Sequence, residues 1–253
     1  FSSNIWSKMV INGDLILFTD PMACQNYLKN FSGELFVDKN SINAFDYALI
    51  KNPINKPSEI KDLKSIKSEA EIKAYKTAFD NTDKALMAVR DFIENNDNIT
   101  EADIECRLRY EFKKYGAKSL SFKPIIAINK NSALAHYSKN SNKVSLKNGD
   151  LVLIDCGAYY DSGLATDITR VFVKGNPSDL QKKVYTTVLK AFLNAFNFKI
   201  ENIVLGFDID NKVREIFAEN QIEGFVFNHG LGHGIGANVH EAPPNLSVNE
   251  IAK

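Results

Sequence analysis

A chain of 253 residues, 44% apolar and 25% charged, has an ordinary globular composition and enough length for one large domain, or one domain plus part of another. Its 31 lysines and arginines balance 31 aspartates and glutamates, which excludes a chain-wide field that would gather nucleic acid or an anionic membrane. No apolar run nears the roughly 20 residues that a membrane crossing needs, and Phe1 to Trp6 has neither the basic start nor the apolar stretch of a secretory signal.

The first sixty residues alternate short apolar runs with turn signals. Met9 to Ile11, Asn12-Gly13-Asp14 and Leu15 to Phe18 predict a β-hairpin, since Asn-Gly suits a type I′ turn. Leu35-Phe36-Val37 is a short strand. Lys51 to Ser58, with Pro53 and Pro57 among polar residues, is expected to be a linker, with a domain boundary near residue 61. Beyond it the pattern turns helical. Ser68 with Glu71 forms a capping box, and Ile72, Tyr75, Phe79, Leu86, Val89 and Ile93 recur at helical spacing up to Asn95-Asn96. Thr100 caps a second helix, carrying Ile104, Leu108 and Phe112, that stops at Gly116.

Phe122 to Ile128 is strand-like, with Pro124 suggesting an edge or a bulge. Leu151 to Cys156 predicts a buried strand and Ile168 to Val173 its return, the two making a hairpin with a longish turn through Tyr160-Asp161-Ser162-Gly163. Ser178 with Gln181 opens a third long helix. A fourth, around Val213 to Ala218, precedes Phe225 to Phe227 and a glycine-rich loop. Two helices followed by strands thus occur twice, which points to an α+β fold built from a duplicated unit. Three cysteines (Cys24, Cys106, Cys156) are too few and too far apart for a disulfide framework or a CxxC metal site, so a reducing, cytoplasmic setting is expected. The chain opens on Phe1 and stops soon after a motif-rich stretch, so it is expected to be a piece of a longer polypeptide.

The chemistry concentrates in two places. Aspartate is unfavourable inside a strand, yet the hairpin carries Asp155 on one strand and Asp167 on the other. A carboxylate buried beside Leu151 to Ile154 must protonate or find a partner, and two facing each other call for a cation. Taken alone, the pair also allows one aspartate capping a turn and the other pairing with Arg170. The histidines favour the cation. Of four in the chain (His136, His229, His233, His240), three lie in the segment Asn228 to Glu241, where alternating glycines oppose a regular helix and let imidazoles approach from different directions. Imidazole with carboxylate suits Zn, Mn, Co or Fe, and no thiolate cluster suggests a structural zinc. Cys156 neighbours Asp155 in a strand and so should face the other way, as a core thiol.

Several separated motifs then resemble those of the pita-bread metallopeptidases, and most closely the Xaa-Pro aminopeptidase branch. They are Asp155-Cys156-Gly157-Ala158, Ala165-Thr166-Asp167-Ile168-Thr169-Arg170, His229 to Gly236, and Val239-His240-Glu241, with Ile66 to Ile72 and Ala135-His136-Tyr137 before them. The resemblance covers residues 62–253 and implies a catalytic domain there, with residues 1–61 the C-terminal part and linker of an N-terminal domain. It also implies an α+β pita-bread fold with a curved antiparallel sheet. Two divalent ions are implied, most often manganese, with zinc or cobalt possible. Asp155 would hold one ion, Asp167 would bridge both and His233 would hold the other. His136, His229 and His240 would position substrate rather than ligate, with His240 stabilising the tetrahedral intermediate. Arg170 would brace the hairpin through an ion pair. The implied reaction is attack of a metal-activated water on peptides with proline in second position, by a homodimer; the cysteines and the balanced charge add the expectation of a cytoplasmic protein with no nucleic-acid or membrane partner.

Two departures accompany the resemblance. The aspartates are twelve positions apart where the family usually shows eleven, so an extra residue must lengthen the turn or else flip one aspartate to the wrong face. The family's two glutamate ligands follow the last histidine motif, and neither Glu241 nor Glu250 sits in a matching motif. The related activities of an Xaa-Pro dipeptidase and a methionyl aminopeptidase stay open, as does a non-catalytic pita-bread domain that binds peptides. A metal-free creatinase-like enzyme is disfavoured by retention of both aspartates.

Overall fold

The computed structural model describes Ile16, Phe18, residues 20–201 and residues 204–249. It falls into two units, divided in sequence between Ile60 and Lys61. In the first, helices α1 (Pro21–Asn30) and α2 (Ala44–Leu49) alternate with strands β1 (Leu35–Val37) and β2 (Pro53–Asn55). The two strands pair in parallel, Leu35 opposite Pro53. The strand expected at 35–37 forms. The segment expected as a linker, Lys51 to Ser58, instead supplies β2, with Pro53 as its first residue, a position that tolerates the missing N–H. The hairpin expected over residues 9–18 lies outside the described residues apart from Ile16 and Phe18.

Helix α3 (Glu59–Ser65) leads to the helices of the second unit, α4 (Glu69–Asn95) and α5 (Glu101–Lys114). Both begin as their sequences predict, with reciprocal capping boxes, Ser68 with Glu71 and Thr100 with Asp103. Short strands follow: β3 (Ser119–Leu120), β4 (Ile125–Ile128), β5 (Leu151–Cys156), β6 (Ala158–Tyr159) and β7 (Ile168–Val173). Strands β4, β5 and β7 make an antiparallel sheet in that order. Strand β5 alternates strictly, with Val152, Ile154 and Cys156 fully buried against Leu86, Val89, Ile104 and Leu108 of the two long helices. The same period of two sends Leu151, Leu153 and Asp155 to the sheet's other face. Helix packing thus fixes which face is left for chemistry.

The second helix pair is α6 (Asp179–Phe196), capped by Ser178 with Gln181 as expected, and α7 (Gly206–Glu219). Helix α7 starts seven residues before the predicted Val213, because the Asp208 carboxylate accepts the Leu205 N–H and secures a first turn that opens on glycine. Gly206 is there for space, since a Cβ would meet the Asn245 backbone carbonyl. Phe225 to Phe227 is irregular. The glycine-rich segment is not all loop: Gly232–Gly234 forms β8, antiparallel to β9 (Glu241–Leu246), with a bulge between His233 and Gly234. A helix pair followed by strands therefore recurs, and the fold is α+β. Among the described residues, no helix is long and apolar enough to cross a membrane.

Candidate metal centre

The hairpin β5–β7 presents the two aspartates. Cys156 stands opposite Ile168, and three residues further along each strand Tyr159 stands opposite Ala165, so one register runs the length of the hairpin. The extra residue between the aspartates therefore lies in the turn after Tyr159, where Gly163 adopts φ 72°, and not in a strand. Asp155 and Asp167 keep the same face. Gly157 lies between them, and a Cβ there would run into the Thr166 carbonyl oxygen and crowd the Ser121 hydroxyl. Thr166 is itself held by a buried hydroxyl chain: its Oγ1 lies 2.9 Å from Thr82 Oγ1, which lies 2.9 Å from the Tyr160 hydroxyl. Ser121 donates to the Thr166 carbonyl at 2.8 Å. These contacts immobilise the residue before Asp167.

Strands β8 and β9 bring His233 and His240 to Asp167. His233 Nε2 lies 3.5 Å from Asp167 Oδ2, and the two imidazoles meet edge to face with centroids 4.2 Å apart. His233 Nδ1 is 2.9 Å from the Gly234 carbonyl, which can only accept, so Nδ1 carries a hydrogen and Nε2 is the nitrogen turned toward Asp167. One ligand atom from each of Asp167, His233 and His240 falls within 4.8 Å of the others, close to the spread that bonds of about 2.1 Å to one ion would impose. Asp155 stands outside that tight group and is fixed separately, accepting the Thr169 hydroxyl at 2.9 Å. His136 and His229 form a second pair, centroids 5.7 Å apart. The hairpin and the glycine loop are tied directly, Ala165 N donating to the Gly236 carbonyl at 2.9 Å.

The electrostatics favour a cation. Burial raises the Asp155 carboxyl above its ordinary range, with Thr169 and the charges of His136, His229 and His233 opposing. Burial, and then the charge of Asp155, raise Asp167 against His233 and His240. Two carboxyls that each resist ionising, near imidazole nitrogens, would be stabilised by a positive ion placed among them. The donor set of carboxylate oxygen and imidazole nitrogen, with no thiolate, fits zinc, manganese, cobalt or iron. Cys156 takes no part: it is buried in the core, and burial pushes its thiol well up.

The structure thus brings Asp167, His233 and His240 together, with Asp155 on the same face and His136 with His229 beside it. Arg170 pairs with neither aspartate; its Nη2 lies 3.8 Å from Asp83 of α4. Further residues support the site. Arg214 donates to the backbone carbonyls of Phe227 (3.1 Å) and His229 (3.0 Å) while bound to the fully buried Asp210 one turn earlier. Glu241 receives Lys64 Nζ at 2.6 Å and the Asn238 N–H at 3.0 Å; burial works against its charge, but these donors hold its carboxyl below the ordinary range. The Tyr75 hydroxyl donates to the Ile235 carbonyl at 3.1 Å, and burial, with Glu241 and Glu71 nearby, pushes its phenol up to about 12. The Asp210 to Arg214 spacing of four was a visible signal; Glu241, Tyr75 and Thr82 act through contacts distant in sequence.

Comparison with known proteins identifies a family. The model of metallopeptidase family M24 matches residues 73–252. An Xaa-Pro dipeptidase of Pyrococcus horikoshii is 39% identical over 184 residues, 73% of this chain and 50% of the relative. Aminopeptidase P2 of Arabidopsis thaliana is 32% identical over 243 residues, 92% of this chain and 33% of the relative. The crystal structure of the prolidase from Pyrococcus horikoshii superposes with a TM-score of 0.77 at 33% identity, over 91% of this chain and 65% of that one. The chain therefore spans half the length of the first relative and a third of the second.

Proposed function

The chain belongs to metallopeptidase family M24, with its pita-bread fold, and from that membership we propose that the full-length protein is an aminopeptidase that removes the N-terminal residue from peptides with proline in second position. The observation that carries this reading is the approach of His233 Nε2 to Asp167 Oδ2 at 3.5 Å, with the His233 Nδ1 hydrogen committed to the Gly234 carbonyl. Asp155, Asp167 and His233 are the proposed metal ligands on this chain, with two ions, most often manganese, as the cofactor. A cytoplasmic homodimer acting on peptides completes the proposal.

When bound, the divalent ions acidify water and polarise a carbonyl. The chain's own groups do the rest. Asp155, in β5, and Asp167, just before β7, supply carboxylate oxygens on the same side of the hairpin. His240, adjoining His233, is assigned as the donor to the oxygen of the scissile carbonyl as negative charge develops on it. His136 and His229, paired at the edge of the site, are assigned to holding the peptide. Proline has no N–H and a fixed φ, so a bond before proline needs a dedicated pocket.

A second reading, an Xaa-Pro dipeptidase, draws support from the 39% identical relative of that name. The test is an assay of the full-length, manganese-loaded protein on Xaa-Pro-Xaa tripeptides, Xaa-Pro dipeptides and Xaa-Ala-Xaa controls. Release of the first residue from the proline tripeptide supports the aminopeptidase. Cleavage of the dipeptide alone selects the dipeptidase. No cleavage with any divalent ion returns the domain to non-catalytic peptide binding.

A further inference from the structure

Glu101 is the first residue of α5, and its side chain is fully buried. An acid in a helix's first turn is favoured while still in solvent, so burial needs another explanation. Its two oxygens face four donor groups, each at 2.8 Å: Ile128 N and Asn131 Nδ2 on Oε1, and on Oε2 Ser141 N and the Tyr137 hydroxyl, whose one hydrogen is shared with the Lys139 carbonyl at 2.5 Å. Hydrogen bonds to a carboxyl group's oxygens from this many donors offset the cost of taking it out of water.

What those donors share is the stretch they bracket. Between Ile128 and Ser141 the chain makes one 3-10 turn (Asn129–Ala133) and then no helix or strand. Its far end is also stitched to α5, Ala102 N donating to the Ser141 carbonyl at 3.2 Å. His136 sits in the middle of this stretch, exposed, with its ring against that of His229. The residue that follows it, Tyr137, is the one whose side chain reaches Glu101.

We propose that Glu101 is a positioning residue: through the Tyr137 hydroxyl and the two ends of the loop, it fixes the imidazole of His136 against His229 at the metal centre. The effect on catalysis rests on the peptidase reading; the placement of the ring does not.

The test uses the full-length, zinc-loaded protein. Histidine ring signals are followed by NMR, and kcat and KM are measured on an Xaa-Pro-Xaa peptide. Glu101→Gln keeps the side-chain volume but turns an acceptor into a donor. Tyr137→Phe removes a single hydroxyl and serves where Glu101→Gln fails to fold. In both variants the His136 signal, identified by its loss in His136→Gln, is expected to shift or broaden while those of His233 and His240 stay. kcat is expected to fall about tenfold with metal content unchanged, and by less than about twofold once His136→Gln is present. An unmoved His136 signal overturns the proposal, as does an equal fall of kcat with and without His136. A wild-type protein that cleaves nothing, but whose His136 signal still moves in the variants, upholds the positioning role while overturning the peptidase reading.

Discussion

Thr169 stands directly across the hairpin from Asp155 and donates its hydroxyl to Asp155 Oδ1 at 2.9 Å. That bond favours the ionised carboxylate against the burial that opposes it. Thr169→Val keeps the shape and removes the donor. Because Thr169 is exposed, thermal stability should change by no more than about 0.5 kcal/mol, while metal affinity should fall about tenfold. Thermal unfolding checks the first and titration of the metal-free protein with manganese or zinc the second; unchanged affinity would remove Thr169 from the support of Asp155.

The pH dependence of stability should change sign with metal. Burial raises Asp155 and Asp167 above the ordinary carboxylate value of 3.8. Their folded forms therefore hold protons more tightly than the unfolded chain does. The stability this gives is fully present below the unfolded value and is lost as pH rises through the raised folded values. Asp167→Asn should remove part of that loss, so that the metal-free variant gains on wild type as pH rises from about 4 to about 7. With manganese added, wild type should gain stability with pH, because ligation needs ionised carboxylates, and Asp167→Asn should not. Thermal midpoints across that range, with chelator and with metal, read both effects; parallel metal-free curves would contradict the first.

Arg214 holds the loop before His229 by two backbone carbonyls and neutralises Asp210, which has no exposure of its own. Arg214→Met leaves that buried carboxylate unpaired and should cost roughly 3 kcal/mol. Asp210→Leu combined with Arg214→Met removes the stranded charge as well and should recover much of the stability without restoring the His229 loop. Chemical denaturation of the two variants decides; a double variant less stable than the single one would show that the ion pair is not the source of the loss.

Gly157→Ala places a methyl group against the Thr166 backbone carbonyl, an atom that cannot step aside without moving Asp167. The expected cost is about 1–3 kcal/mol, with metal retention reduced because Asp167 adjoins Thr166. Gly163→Ala, in the open turn with nothing within 4 Å of the added carbon, should carry only the strain of its positive φ and keep metal binding. Equal metal loss in both would argue that the hairpin as a whole, rather than the close approach at Gly157, sets the aspartates.

Much of the frame was legible because local rules carried it. Ser68, Thr100 and Ser178 announce their helices by capping chemistry, and Asp155 stands out as an acid inside a β-branched and leucine-rich run. What stayed hidden was decided by contacts distant in sequence. Prolines masked β2, which exists through its pairing with β1. Gly206 masked the start of α7, being required by the backbone of Asn245 rather than by the helix. The bulge after His233, which brings His240 beside it, depends on the return of β9 and has no local signature. Glu101 reads as an ordinary helix-start acid until the loop from Ile128 to Ser141 closes over it.

Anomalous diffraction from crystals of the manganese-loaded full-length protein tests the metal centre most directly. The expected result is two peaks, one within about 2.3 Å of carboxylate oxygens of Asp155 and Asp167, the other within about 2.3 Å of an Asp167 carboxylate oxygen and of His233 Nε2. Occupied manganese elsewhere, with the Asp167 carboxylate and the His233 ring bonded only to each other or to solvent, would contradict it.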